Sequence, residues 1–557
     1  MNTSSWDRHP AWYGLPFLLL LVAFAVVPSG GFVSDDVPMI AENPALLSWK
    51  SVPGFFTGDV WKSSALAASG GGLYRPLYLL WYFLLAQVFG PGPMVFHVAM
   101  LVLHVTNVVL ALFLLKRLLP QAPAAARAIG VTAFAIHPAQ VETVAWISGG
   151  TDIVMATWLL GACLAWLRYR TTGSRLALAL SLVAFVGAMF TKESAVVFPL
   201  LLFTLERLQQ PGVTPRWLVP AVTGVLALGY LGLRGSVLGG GSSGWVIDPS
   251  RFLRLLEYLA FHLRVLAWPD PLPFYFRHPE AGVVGAVAAM VACVTAIGLA
   301  RLGRAPGARV AWPWFLFLLP TLALAFHSEG TVALRFLYLP MFGIAVLVAA
   351  TSARPGRAGQ TALVLALLAG LTWTAIAYRA SAVFHDDGTF FSAVRVADPT
   401  SPSGYEGLGN HLLRKGRTED ALAVFAEGAL RTRVAGRHLD LLAMQARLLG
   451  ELGRSSESMA AYRRYLADGG RLALGYNGIG NNLWIIGDRV GAAENYRLAL
   501  NADPRDFEAA FNLAQLAEVS GDVELARAYY TRALANAKRD TPPLAVAQTR
   551  AKLARGR

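Results

Sequence analysis

The chain is patterned in two regimes. From Trp12 to Tyr378, apolar runs recur between short charged connections. Each run has about 20 residues, enough for a helix to cross the hydrocarbon core of a bilayer. From about Tyr405 the long runs stop, and shorter polar segments punctuated by glycine take over. This change predicts an all-α chain: a polytopic membrane domain followed by a soluble helical domain.

Eleven candidate spans begin near Trp12, Met94, Ala125, Asp152, Arg175, Ser194, Trp217, Ala281, Ala311, Leu334 and Thr361. Two other apolar stretches are not counted as spans. Pro76 to Val88 is aromatic but short, and Phe252 to Trp268 carries Arg254, Glu257, His262 and Arg264. The second reads as an amphipathic helix at the membrane surface. Basic residues gather in five short connections: at Lys116, Arg117 and Arg127; at Arg168, Arg170 and Arg175; at Arg207 and Arg216; at Arg301, Arg304 and Arg309; and at Arg354 and Arg357. Short basic loops stay cytoplasmic. A cytoplasmic N-terminus puts all five on one side. An odd number of spans then delivers the C-terminal domain to the other side of the plasma membrane, the periplasm of a bacterium. The first run ends in VVPSGGFVSDD with no small-residue cleavage site, so it reads as a retained span.

The soluble part is periodic. Gly416, Gly453, Gly487 and Gly521 stand 37, 34 and 34 residues apart. Ala421, Ser458, Ala492 and Ala526 follow five residues after each, and Phe425, Tyr462, Tyr496 and Tyr530 nine after each. A glycine that ends one helix, a small residue for close packing and an aromatic for the seam make the tetratricopeptide pattern, and Pro504 stands where such repeats place proline. The expected boundaries are a membrane domain over 1–380, a linker over 381–404, about four repeats over 405–540 and a basic tail over 541–557. Stacked helix pairs form a concave surface suited to peptides or proteins.

Composition narrows the chemistry. Of 557 residues, 55% are apolar and 15% charged, and the net charge of +14 is accounted for by the topology of the basic loops. No nucleic-acid partner is expected. Cys163 and Cys293 lie in apolar runs and form no disulfide framework. There is no Walker A motif, and no G-x-G-x-x-G after a strand, so the substrate donor is expected to be membrane-borne. No zinc spacing such as HExxH occurs. No cofactor or metal is implied, although an acidic pair can bind a divalent ion weakly.

Ionisable residues near a bilayer are costly and usually functional. Here they gather at span ends expected to face outside. Asp35 and Asp36 follow the first span, and Tyr74 and Arg75 come next. His97 and His104 lie at the head of the second span. His137, Glu142 and Asp152 fall in HPAQVETVAWISGGTD, Lys192 and Glu193 in TKES, and His327, Glu329 and Arg335 in HSEGTVALRFLYLP. A carboxylate can act as general base toward a hydroxyl. Lys and Arg can hold a phosphate leaving group. Each residue also has a plain structural alternative. The aspartates can be loop caps, Arg75 can snorkel, and Lys192 and Glu193 can neutralise each other. His104 can be a packing histidine, and His137 can cap a broken helix.

The order FVSDDVPMIAENP, YRPLYLLWYFL, FHVAMLVLHVTNVVLALFLL, HPAQVETVAWISGGTD, TKES, ALRFLYLP and YRASAVFHDDGTFFSAVRVADP, leading into the repeats, resembles the transmembrane and tetratricopeptide-repeat O-mannosyltransferases and their bacterial relatives. These are GT-C glycosyltransferases. The resemblance covers nearly the whole chain. It implies a polyprenyl-phosphate sugar donor, transfer on the outer face to Ser or Thr of proteins, and an acidic residue in the first outer loop as catalytic base. By motif position that base is Asp35, with Asp36 supporting it. Arg75, Lys192 and Arg335 sit in family motifs and are assigned to the donor phosphate. The chain departs from the pattern at Gly150, where relatives often carry Arg, and in the Gly-rich loop from Leu238 to Trp245; both leave the sugar open. A lipid or envelope-glycan acceptor, a non-catalytic repeat scaffold and a transporter are the rival readings.

Overall fold

The computed structural model describes residues 9–62, 64, 72–207, 217–239, 251–269, 272, 306–326, 333–432, 436–537, 541 and 543–555. All regular structure among them is helical. The chain divides into two compact units, Met1–Phe390 and Phe391–Arg557. The expected span near Ala281, together with Cys293, Arg301, Arg304, His327, Glu329 and most of the 238–245 loop, lies outside the described residues.

In the first unit, five helices are long and apolar enough to cross a membrane: Pro10–Ser29, Pro93–Leu118, Ser148–Thr172, Leu218–Leu238 and Arg357–Phe384. They fall on five of the expected spans. Four others, begun near Ala125, Arg175, Ala311 and Leu334, form shorter apolar helices: Ala124–Ile136, Arg175–Thr191, Arg309–Ala323 and Pro340–Ser352. The one expected at Ser194 is a ten-residue helix, Phe198–Arg207. Short helices end where the sequence interrupts them, Ala124–Ile136 at His137-Pro138 and Arg175–Thr191 at Lys192-Glu193. A proline removes a backbone donor and disfavours helix for the residue before it.

Ala124–Ile136 is the hub, with nearly every residue buried. It packs against Leu15–Ala23, Pro93–Leu118, Pro340–Ser352 and Arg357–Ser381. Its run of Ala and Gly allows this approach. A Cβ on Gly130 would stand 2.7 Å from Ala349 Cβ, the small-residue packing that holds helices together where lipid tails are as apolar as leucine. Pro76–Phe89 forms a 14-residue helix with Tyr78, Tyr82 and Phe83 buried. Arg251–Ala267 is amphipathic, burying Tyr258, Phe261, His262 and Val265 at helical spacing while Arg264 stays exposed.

Contacts sort the helix ends into two sets. At one end Lys116 lies over the Tyr13 ring, Arg170 pairs with Glu206 at 3.2 Å, and Arg207 lies over Trp217. At the other end His97 meets Gly31, Ser148 meets Asp36, and Asp387 meets Ser34. Lys116, Arg170 and Arg207, one from each of the first three basic connections, therefore lie at helix ends opposite those that carry His97, Asp36 and Ser148.

The second unit contains four helix pairs: Pro402–Arg414 with Thr418–Arg431, Arg437–Glu451 with Ser455–Ala467, Leu472–Ile485 with Arg489–Ala502, and Phe507–Val519 with Val523–Ala535. Pro543–Arg555 follows. This is a tetratricopeptide solenoid. Gly416, Gly453, Gly487 and Gly521 each sit between the helices of a pair with φ of 72°, 74°, 89° and 79°, the left-handed region that glycine enters without steric cost. The four small residues and four aromatics of the pattern are all buried.

Candidate active site

The loop after the first span is held from several sides. The Asp36 carboxylate is fully buried and fully used. Its Oδ2 accepts from Val33 N at 3.0 Å, and its Oδ1 accepts from Ser148 N at 2.7 Å and from the Ser148 hydroxyl. Trp146 Nε1 donates to Val33 O at 3.0 Å, His97 Nε2 donates to Gly31 O at 3.1 Å, and Gly31 N donates to His385 O at 2.7 Å. A side chain on Gly30 would put its Cβ 2.9 Å from His97 Nε2, so any larger residue there requires the ring to shift. Tyr78 and Tyr82 hydroxyls both donate to Ile147 O, at 2.6 and 3.1 Å, which steadies the turn that presents Ser148.

Asp35 differs from its neighbour. Its side chain is half-buried, and no hydrogen bond or ion pair engages it among the described residues. Burial raises its pKa, and the nearby Arg335 guanidinium pulls it back in part. For Asp36, burial outweighs the hydrogen bonds from Ser148 and Val33 and, with the Asp35 charge, raises its pKa to about 7. Two adjacent carboxyls titrate as a coupled pair. The doublet thus splits into one anchoring carboxyl and one open one.

The three expected phosphate-binding cations each meet a carboxylate. Arg75 grips Glu193 with two bonds of 3.1 and 2.7 Å. Burial works against the Glu193 charge, but Arg75 and then Lys192 hold its pKa at about 2. Lys192 pairs with Asp152, and both are almost completely buried. Arg335 pairs with Glu142, whose other oxygen accepts from Leu334 N at 2.7 Å. The cations are neighbours: Phe336 lies 5.0 Å from Lys192 and 5.4 Å from Arg335, which also faces Trp146 at 5.3 Å. Exposure ranks them, with Arg335 at 23%, Arg75 at 16% and Lys192 at 4%. Beside the pair of Lys192 and Asp152, a small cavity is lined by Asp152, Met155, Ser194, Phe317, Thr321, Phe336, Leu339 and Pro340.

Other predicted residues support rather than face this cluster. His104 is buried, with Nε2 donating to Ala135 O at 2.9 Å and Nδ1 accepting from the Tyr338 hydroxyl at 2.7 Å, the pattern of a packing histidine. His137 caps the turn at Pro138, its Nδ1 accepting from Ala139 N at 3.2 Å, and packs on Trp373. Tyr74 is buried and donates to Phe56 O at 3.2 Å, fixing the backbone next to Arg75. At Gly150 a side chain would run into Met100, so an arginine there requires that methionine to move. Trp146, Ser148, His385 and Asp387 were not singled out from sequence. All four lie in motifs quoted above, but nothing local to the chain says that Ser148 and Asp387 meet a loop 112 and 353 residues away.

The chain matches no family model. It is 27% identical over 187 residues to Protein O-mannosyl-transferase Tmtc1 of Drosophila melanogaster, covering 33% of this chain and 21% of that protein. It is 22% identical over 433 residues to Protein O-mannosyl-transferase F38B6.6 of Caenorhabditis elegans, covering 73% of this chain and 61% of that protein. The match therefore spans less than two thirds of either relative. A thermophilic TPR protein of Thermus thermophilus aligns over 34% of this chain and 95% of its own, at 19% identity and a TM-score of 0.25. By sequence and by its apolar helices followed by tetratricopeptide repeats, the chain is a relative of the transmembrane and tetratricopeptide-repeat protein O-mannosyltransferase family.

Proposed function

We propose that the first unit is a GT-C-type glycosyltransferase, moving a sugar from a polyprenyl-phosphate carrier to a Ser or Thr hydroxyl of a protein bound by the repeats. The observation that carries this reading is Asp35, an open carboxyl beside Arg335 on a loop otherwise anchored at every turn. In the reaction the acceptor hydroxyl gives its proton to Asp35, and its oxygen forms a bond to the anomeric carbon. The bond from that carbon to the phosphate oxygen breaks, and polyprenyl phosphate leaves with the electron pair. A single displacement of this kind inverts the anomeric centre. Arg335 and Arg75, the more exposed cations, are assigned to the phosphate, whose charge competes with Glu142 and Glu193 for them. The site lies at helix ends opposite those that carry Lys116, Arg170 and Arg207, which supports an extracytoplasmic site.

The test uses the purified full chain in detergent with polyprenyl-phosphate mannose and Ser/Thr-containing peptides. A hexose-sized mass gain on the peptide is expected. A gain on lipid alone moves the acceptor, and no gain on either favours the scaffold.

The acid limb of kcat/KM reports the base. A general base works when deprotonated, so transfer falls as the pH drops through its pKa, which burial sets above the ordinary carboxylate value. Arg335→Gln removes the charge that lowers this pKa, and the limb is expected to move to higher pH. A pH–rate profile of the variant that keeps the wild-type limb counts against Asp35 as the titrating group.

A further inference from the structure

Ser34 precedes Asp35 and carries a φ of 53°, the one positive value at a non-glycine among the described residues. The left-handed region is unfavourable for an L-residue, and residues held there gather at functional sites when their surroundings enforce the conformation. The enforcing group is visible. Ser34 N donates to Asp387 Oδ1 at 2.6 Å, and three residues earlier in the loop Gly31 N donates to His385 O at 2.7 Å. Asp387 is 5% exposed and begins the helix Asp387–Ala397, so its carboxylate is fixed in direction.

We propose that Asp387 is a positioning residue for the transfer reaction: its carboxylate clamps the Ser34 peptide in the left-handed conformation and so aims the Asp35 carboxyl. This rests on Asp35 acting as the base. The geometry gives the clamp a specific task. Asp36 is tied to Val33 and Ser148, and Val33 is tied to Trp146. Those contacts fix the loop on both sides of Ser34 and Asp35. The peptide between them is held within the loop as well, Ser34 O accepting from Val37 N at 3.2 Å and Asp35 O from Met39 N at 3.0 Å. The Asp35 side chain has no hydrogen-bond partner of its own among the described residues, so its direction follows the Ser34 backbone. Releasing Ser34 to a negative φ would turn that peptide, and Asp35 with it, at the cost of the bond from Val37 N to Ser34 O. The clamp comes from the segment after the last long apolar helix, so the far end of the membrane unit sets the geometry of its first loop.

The experiment compares full-length Asp387→Ala, Asp387→Asn, Ser34→Gly and the double variant Ser34→Gly/Asp387→Ala in the peptide-transfer assay. Displacing a reacting group by about 1 Å costs on the order of 100-fold in rate, so Asp387→Ala is expected to lower kcat by roughly 10- to 100-fold with little change in donor KM. Asp387→Asn keeps an oxygen acceptor and stays near wild type. Glycine enters a positive φ about as readily as a negative one, so Ser34→Gly removes the steric penalty of the left-handed region and, in the Asp387→Ala background, recovers about tenfold. A residue that only stabilised the fold would lower the melting temperature and gain nothing from glycine at 34. If Asp387→Ala fails to fold, Asp387→Ser, polar but too short to reach, takes its place with the same expected rescue. Wild-type kcat in the released variant, or an equal loss in the Ser34→Gly background, overturns the proposal. An active Asp35→Asn enzyme instead overturns the base reading beneath it, so the two failures are told apart.

Discussion

Replacing Asp35 with Asn lowers peptide glycosylation by roughly 100- to 10,000-fold, the contribution of a positioned general base, and leaves the melting temperature at or above that of the wild type. The asparagine has nearly the same shape, and the carboxyl it replaces makes no hydrogen bond among the described residues, so nothing in the fold is broken and one half-buried charge is removed. Asp36→Asn gives the opposite profile. Its carboxylate accepts from Val33 N, Ser148 N and the Ser148 hydroxyl. An amide supplies one acceptor oxygen and one donor nitrogen, so a donor faces a donor and one buried N–H is left unpaired, at about 1–3 kcal/mol. Measured together, the two variants separate rate from stability within one doublet. A fully active Asp35→Asn enzyme would end the general-base reading.

Lys192→Ala destabilises the membrane unit by roughly 3–5 kcal/mol, because it strands Asp152 as a buried, unpaired charge. Both partners are nearly inaccessible, at 4% and 6% exposure, so water cannot take over. The double variant Lys192→Met/Asp152→Leu removes both charges at similar volume and is expected to be about as stable as the wild type. Denaturation in detergent of wild type, both single variants and the double variant measures this coupling directly. Activity then separates structure from chemistry. If the pair is a strut, the double variant still transfers sugar. If Lys192 holds the donor phosphate, as its place in TKES suggests, the double variant is stable and inactive.

Repeats and bundle differ in how they are encoded. A tetratricopeptide unit contacts only its neighbours in sequence, so its packing rule recurs locally at a fixed period. Gly416, Gly453, Gly487 and Gly521 could therefore be read as helix ends directly, and all four have positive φ. The membrane helices are legible for a related reason, since length and apolarity are properties of a single segment. Their lengths were less legible. Ala124–Ile136 has only 13 residues, because His137-Pro138 ends it and its neighbours, not lipid, cover its sides.

The sequence by itself determined the helical class, the change from bilayer to solenoid, the positions of the longest spans, and a set of charged residues grouped at one set of span ends. These follow from local composition and period. Only the tertiary structure decided what each charge does. It paired Arg75, Lys192 and Arg335 with Glu193, Asp152 and Glu142, turned His104 into packing, and made Asp36 an anchor while leaving Asp35 open. The physical reason is that electrostatic roles depend on burial and partner distance, and those partners come from segments up to 353 residues away in the chain.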